Sequence, residues 1–265
     1  MMKIETAKTD TFSMDYFKFG DGKRTLVILP GLSVQSVMLS AAAIKKAYEP
    51  LANDFTVFVF DRRRELPPVY SIEDMADDTA SAIAAAGIGR ACISGVSQGA
   101  MIAMKIAARR PESAEKLVLA SAVKRVTDEN STVIEKWIEL AEKGDAEKLY
   151  LSFGEAIYPQ TVFECLRGSL SEAAKNVTRE ELSRFVALAC AAKDFDASRE
   201  LENIMCPTLV IGDKGDRIFG GGAARAIYER MKNNPDAELY EYNGYGHALY
   251  DTAPDFKERI LRFLI

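Results

Sequence analysis

Gly95-Val96-Ser97-Gln98-Gly99 follows the apolar run Ala91-Cys92-Ile93 and leads into Met101-Ile102-Ala103-Met104-Lys105-Ile106-Ala107. The spacing predicts a buried strand that gives way, at Ser97, to a helix beginning at about Gln98. A turn that abrupt holds its serine in strained backbone geometry with the hydroxyl exposed. Glycines two positions to either side are expected because a side chain there would meet the neighbouring chain. A five-residue match also arises by chance, so the surrounding sequence has to carry the reading. The bland reading of Ser97 is an ordinary helix N-cap.

Outward from this point, short apolar runs alternate with helical patterns. Thr11 to Phe19 reads as an opening strand, followed by the turn Gly20-Asp21-Gly22. Thr25 to Leu29 and Phe55 to Phe60 read as buried strands, with a helix over Ala41 to Leu51 between them. A helix starts at Ser71, whose Ser71-Ile72-Glu73-Asp74 sequence fits a capping box, and stops near Gly87. The helix after Ser97 ends at Arg110-Pro111, and Lys116 to Ala120 is the next strand. This alternation is the signature of a mostly parallel sheet covered by helices on both faces, an α/β fold.

The alternation breaks from about Val123 to Asn203. Only helical patterns occur there: Val133 to Lys143, Ala146 to Ile157, and Glu180 to Ala192 behind a Thr178-Arg179-Glu180-Glu181 capping box. It resumes with a strand at Pro207 to Ile211, a helix over Ala223 to Lys232, a strand at Glu238 to Tyr242, and a helix from Ala253 to Phe263. Residues 1–265 therefore read as one α/β domain, with 123–203 as a helical cap inserted within it.

Composition limits the function classes. Apolar residues at 48% and charged residues at 28% suit a globular chain with a sizeable core, and a net charge of −5 argues against a nucleic-acid partner. Cys92, Cys165, Cys190 and Cys206 show no C-x-x-C spacing and are expected as reduced, mostly buried thiols. With a single histidine, His247, a zinc site is not expected either. Met1 to Asp10 lacks an apolar secretory core, and no run is long enough to span a bilayer, so the expected location is cytoplasmic without a membrane partner.

The one histidine tests the serine directly: if imidazole activates Ser97, its base is His247. Three segments carry a resemblance to the α/β-hydrolase fold with a helical cap, in its carboxylesterase-like branch. They are Leu29-Pro30-Gly31-Leu32, Ser94 to Ala103, and Gly244-Tyr245-Gly246-His247-Ala248-Leu249-Tyr250. Between the second and third, Leu209 to Arg217 reads as a strand feeding an acidic loop, so the chain order is Ser…Asp…His, as that family uses. The resemblance implies Ser97 as nucleophile and His247 as general base and acid. Asp216 is the better candidate for the orienting acid. Asp213 is the rival, and the losing aspartate is expected to be a solvated loop residue. The backbone N–H groups of Leu32 and Gln98 would form the oxyanion hole. Ser33 reads better as an ordinary loop serine than as a hydroxyl donor.

Two places depart from the family. Pro30-Gly31 stands where many relatives have His-Gly. After Asp61, Arg62-Arg63-Arg64 replaces a glycine-rich loop, either as an anion-binding cluster or, as the blander reading, a solvated and partly ion-paired loop. Trp137, Leu140, Tyr150, Phe153, Tyr158, Phe163 and Phe185 give the insertion its apolar face. Two or three of them are expected to meet substrate, while the rest join the insertion to the core.

The expected function is hydrolysis of a small carboxylic ester, lactone or thioester through an acyl-enzyme, without cofactor or metal, on a small-molecule substrate. The same triad also serves C–C bond hydrolysis, amide or peptide hydrolysis, and acyl transfer. A different-class alternative is a binding or signalling protein with slow turnover. A homodimer is left open.

Overall fold

The computed structural model describes residues 2–265; Met1, the first residue of the polar stretch read above, lies outside them. Eight strands form one sheet: β1 Ile4–Lys8, β2 Ser13–Phe19, β3 Arg24–Leu29, β4 Phe55–Arg63, β5 Ala91–Val96, β6 Ala114–Ala120, β7 Thr208–Asp213 and β8 Ala237–Tyr242. Their order is β1-β2-β4-β3-β5-β6-β7-β8. β1 and β2 join antiparallel at one edge, and every pairing from β4 to β8 is parallel.

The period-two alternation of side chains splits the core in two. Val27, Leu29, Ile93, Leu117 and Leu119 face one helical layer. Leu26, Ile28, Cys92, Val118 and Ala120 face the other. The first layer contains α2 Ile72–Ala85, α3 Gln98–Arg109 and α8 Ala223–Tyr228. The second contains α1 Ala41–Ala47, α9 Leu249–Thr252 and α10 Phe256–Leu264. Strands whose residues are apolar on both faces thus form the middle of a covered parallel sheet. The capping box of α2 is formed in both directions, with Ser71 and Asp74 satisfying each other's backbone N–H groups.

Four helices lie between β6 and β7: α4 Asp128–Glu142, α5 Ala146–Ile157, α6 Gln160–Ala174 and α7 Arg179–Lys193. A bridge between Arg125 and Asp196 closes the base of this excursion. The buried Lys105 of α3 pins the same place, donating to the Asp196 carbonyl at 2.8 Å and pairing with Glu73 and Glu200. α7 returns over the end of β4, where Arg184 donates to the carbonyls of Arg62 and Arg63 at 3.1 and 2.7 Å.

Several boundaries differ from the sequence reading. β1 was not expected. Its Ile4-Glu5-Thr6-Ala7-Lys8 is mostly polar because an edge strand buries only one side. α6 was also unexpected; Phe163 and Ala174 are its only buried residues. The helix over Ala41 to Leu51 stops at Ala47, with Pro50 in a 3-10 turn beyond it. The last helix starts at Phe256, after the short α9.

Candidate active site

β5 runs to Val96, one residue before the turn. Ser97 has φ 53° and ψ −120°, a conformation disfavoured for any residue with a Cβ. Its side chain makes no capping bond to α3, which sets aside the ordinary N-cap reading. The flanking glycines have a steric cause. A Cβ on Gly95 would lie 2.4 Å from the Gly99 carbonyl oxygen, and one on Gly99 would lie 1.9 Å from that of Leu29. The turn is therefore packed against the β3 loop on one side and its own helix on the other.

Ser97 Oγ lies 2.9 Å from His247 Nε2, and His247 Nδ1 lies 2.9 Å from Asp216 Oδ2. His247 is buried at 3% exposure, with its ring edge-on to Phe219 at 5.2 Å. Asp216 follows the end of β7. Its Oδ1 accepts from the N–H groups of Ile218 at 2.7 Å and Phe219 at 3.1 Å, leaving Oδ2 for the imidazole. Burial pushes the Asp216 carboxyl up, but the neighbouring His247 charge and these hydrogen bonds outweigh it, so the group sits below its ordinary value.

Asp213 overturns an expectation. It is not a solvated loop residue but a buried one, at 2% exposure. Its carboxylate accepts from the backbone N–H groups of Gly215 at 2.7 Å, Gly244 at 3.3 Å and Tyr245 at 2.9 Å. The reason is topological: β7 and β8 are neighbours, so the carboxylate at the end of one reaches the loop leaving the other. The two aspartates divide the work, Asp213 fixing the loop that carries His247 and Asp216 meeting the imidazole.

Leu32 and Gln98 border the same chamber as Ser97. Gln98 is the first residue of α3, and its N–H is one of the helix-terminal donors without an intrahelical acceptor. The Leu32 N–H has no hydrogen-bond acceptor among the described residues. Gly31 brings this loop close, since a Cβ there would lie 3.2 Å from Ser97 Cβ. Ser33 donates to the Gln35 carbonyl at 2.7 Å, an ordinary loop contact.

The three arginines separate. Arg63 pairs with Asp78 at 3.1 Å over the ring of Phe12, and Arg64 forms a two-point pair with Asp15 at 2.8 Å, as an ion-paired segment would. Arg62 is different: it is buried at 4% exposure inside β4, not solvated. Its Nη2 donates to the Pro30 carbonyl at 2.7 Å and to Gln98 Oε1 at 3.3 Å. Burial lowers its guanidinium to about 10. Arg62 thus ties the Pro30-Gly31 loop to Gln98, whose Nε2 in turn donates to the Leu188 carbonyl of α7 at 2.6 Å. This link escaped the sequence reading because β4 runs two residues past Asp61, turning Arg62 inward. The cysteines also depart from expectation: Cys92 is buried, but Cys165 and Cys190 are exposed.

One chamber adjoins the serine, and a second adjoins the first. The first, about 30 Å³, is bordered by Ser97, His247, Trp137, Phe153, Ile218 and Phe219. The second, about 450 Å³, lies between the loop after β3 and helices α5 and α6. Gly31, Leu32, Phe153, Ile157 and Tyr250 border both. Of the aromatic side chains read in the insertion, Trp137, Tyr150, Phe153 and Tyr158 reach these chambers. Phe163 and Phe185 are buried and border neither chamber. Among the described residues no three His, Cys, Asp or Glu side chains gather as metal ligands, and no helix is long and apolar enough to cross a membrane.

Comparison with known proteins places the chain in a family. Residues 26–256 match the sequence model of the Alpha/beta hydrolase family. The chain is 28% identical over 232 residues to RutD, a candidate carbamate hydrolase of Rhizobium rhizogenes, covering 82% of this chain and 85% of that protein. Two solved structures share the fold over 98% of this chain. MGS-M2, an alpha/beta hydrolase enzyme from a Medee basin deep-sea metagenome library, has a TM-score of 0.85 at 22% identity, with 96% of that chain covered. The enol-lactonase of Burkholderia xenovorans LB400 has a TM-score of 0.82 at 19% identity, with 99% covered.

Proposed function

The chain belongs to the alpha/beta hydrolase family and is a hydrolase enzyme, and from that premise we propose that it cleaves a small carboxylic ester, lactone or thioester with Ser97 as nucleophile. The observation that carries this reading is the unbroken relay of 2.9 Å contacts from Asp216 through His247 to Ser97. Ser97 Oγ attacks the carbonyl carbon as its proton passes to His247 Nε2. The Asp216 carboxylate holds the Nδ1–H, fixing the tautomer and stabilising the imidazolium. The carbonyl oxygen, now an oxyanion, takes hydrogen bonds from the Gln98 and Leu32 N–H groups. The intermediate collapses, and the leaving alkoxide or thiolate takes the proton from Nε2. Water then attacks the acyl-enzyme, passing its proton to Nε2, and the acid leaves as Ser97 recovers its own. The insertion at 123–203 acts as a cap that walls the site from bulk water.

The small chamber favours a short acyl arm, the size of an acetyl or carbamoyl group. That size and the candidate carbamate hydrolase among the relatives support a second substrate, a carbamate, attacked by the same steps.

Fluorophosphonate labelling of the folded protein, read by peptide mapping, tests the nucleophile. Modification at Ser97 is expected, and an unmodified Ser97 overturns the mechanism. A series of p-nitrophenyl esters from acetate to octanoate, beside the matching carbamate, then sizes the acyl arm. Activity is expected to be highest with acetate or carbamate and to be lost in Ser97→Ala and His247→Ala. Transfer of the acyl group to an added alcohol in preference to water would assign acyl transfer instead.

A further inference from the structure

The larger chamber is mostly apolar, but its wall is not uniform. Leu32, Val37, Leu39 and Ile44 contribute aliphatic side chains to it, while Tyr48, Tyr158, Tyr250 and Asp251 contribute hydroxyls and a carboxylate. Asp251 is an exposed residue that borders the chamber. Its one side-chain hydrogen bond comes from the Tyr158 hydroxyl, at 3.3 Å to Oδ2. Among the described residues it has no ion-pair partner within 4 Å. Lys257 is the cation that acts on it, but its ammonium group is held elsewhere. It donates to the Tyr250 carbonyl and lies over the rings of Tyr48 and Phe256, 5.4 and 5.6 Å from their centroids, and it does not border the chamber.

Desolvation raises the Asp251 carboxyl above its ordinary value, against the opposing pull of Lys257 and the Tyr158 hydrogen bond. The same negative charge contributes to the raised values of Tyr48, Tyr158 and Tyr250, after burial itself. A carboxylate with no ion-pair partner attracts an opposite charge brought beside it, and apolar walls around the pair weaken its screening by solvent. Aromatic rings around that position add attraction for a cation through their negative faces.

We propose that this part of the larger chamber, formed by Asp251 with Tyr48, Tyr158 and Tyr250, binds a cationic group, an alkylammonium on the substrate arm that the small chamber does not hold. The proposal rests on the hydrolase reading for its place in the substrate, but binding of the cation itself does not. The substrate is then asymmetric, with a short acyl group at Ser97 and a longer apolar arm ending in a positive charge. The chamber's 450 Å³ is in the range of small-molecule sites and has room for such an arm.

The test has a binding arm and a turnover arm. Calorimetric titration with hexyltrimethylammonium should give saturable binding to the wild-type protein, weakened at least about tenfold in Asp251→Asn. Absence of saturable binding to the folded wild-type protein, or equal affinity in the two, overturns the proposal whatever the enzyme hydrolyses. For turnover, acetate esters of ω-trimethylammonium alcohols are compared with their neutral tert-butyl isosteres along a chain-length series. A preference for the charged member of at least about tenfold in kcat/KM is expected at one length, shrinking in Asp251→Asn. Because a ratio is read, a general loss of rate in the variant does not enter it. If Asp251→Asn does not fold, Tyr158→Phe takes its place in both arms, with a smaller loss expected. Equal turnover of the pair in the wild type overturns the proposal, while ammonium binding without Ser97 labelling retains the site and rejects the hydrolytic mechanism.

Discussion

Ser121 Oγ donates a 2.5 Å hydrogen bond to the backbone carbonyl of His247. Ser121 is the residue at which the chain leaves β6 for the insertion, and it sits at φ 51°, the one residue besides Ser97 among the described non-glycines with positive φ. Its own N–H bonds the Ile211 carbonyl of β7 at 3.0 Å. The entry to the insertion and the seat of the histidine are therefore one structural unit.

Substitution of Ser121 separates two costs. Ser121→Ala keeps the left-handed backbone but loses the bond, and is expected to destabilise by about 1–2 kcal/mol and to lower kcat severalfold. Ser121→Gly loses the same bond but relieves a backbone strain on the order of 1 kcal/mol. Thermal unfolding should therefore rank wild type above Gly, and Gly above Ala. An Ala variant with wild-type kcat would remove Ser121 from any part in positioning His247.

The two aspartates predict opposite phenotypes. Asp216→Asn should still fold near neutral pH but lose kcat on the order of 10⁴-fold, because the imidazole tautomer is no longer fixed. Asp213→Ala leaves three backbone donors without their carboxylate. It should cost about 2–4 kcal/mol in urea unfolding, with lower activity following from the loosened histidine loop. Steady-state kinetics and urea titration on the same pair of variants check both statements.

Glycine positions give a steric prediction with an internal control. Gly99→Ala places a methyl group 1.9 Å from the Leu29 carbonyl oxygen, against the Leu29-Pro30 backbone, and should destabilise by more than about 3 kcal/mol. Gly89→Ala meets nothing within 4 Å and should stay within about 1 kcal/mol of wild type. Comparable losses in both variants would refute the packing account of the turn.

The depressed Asp216 carboxyl makes a pH prediction. A group whose value is lower folded than unfolded contributes stability above its unfolded value, about 3.9, and loses it as pH falls through the folded value. The stability gap between wild type and Asp216→Asn should thus be present above about pH 4 and shrink as pH falls below it. A gap that widens on acidification would contradict the sign of the shift.

Much of this was legible in the chain. The elbow at Ser97, the single histidine, the preference for Asp216 over Asp213 and the helical stretch between β6 and β7 all follow from local pattern and chain order. β1 and α6 were not legible because each buries little, and burial is what writes periodicity into a sequence. The inward turn of Arg62 was hidden for a different reason: its partners, the Pro30 carbonyl and Gln98, are 32 and 36 residues away.

The sequence by itself determined which residues alternate between the two faces of the sheet, where the strand breaks at a serine, and which imidazole is available. Those are properties of neighbouring residues, governed by side-chain period and backbone sterics. Only the tertiary structure decided that Asp213 is a buried latch, that Ser121 holds the histidine loop, that Arg62 supports the loop carrying Leu32, and that Asp251 faces an apolar chamber. Each of these depends on a hydrogen bond or a wall between segments brought together by strand order, and chain distance carries no record of that.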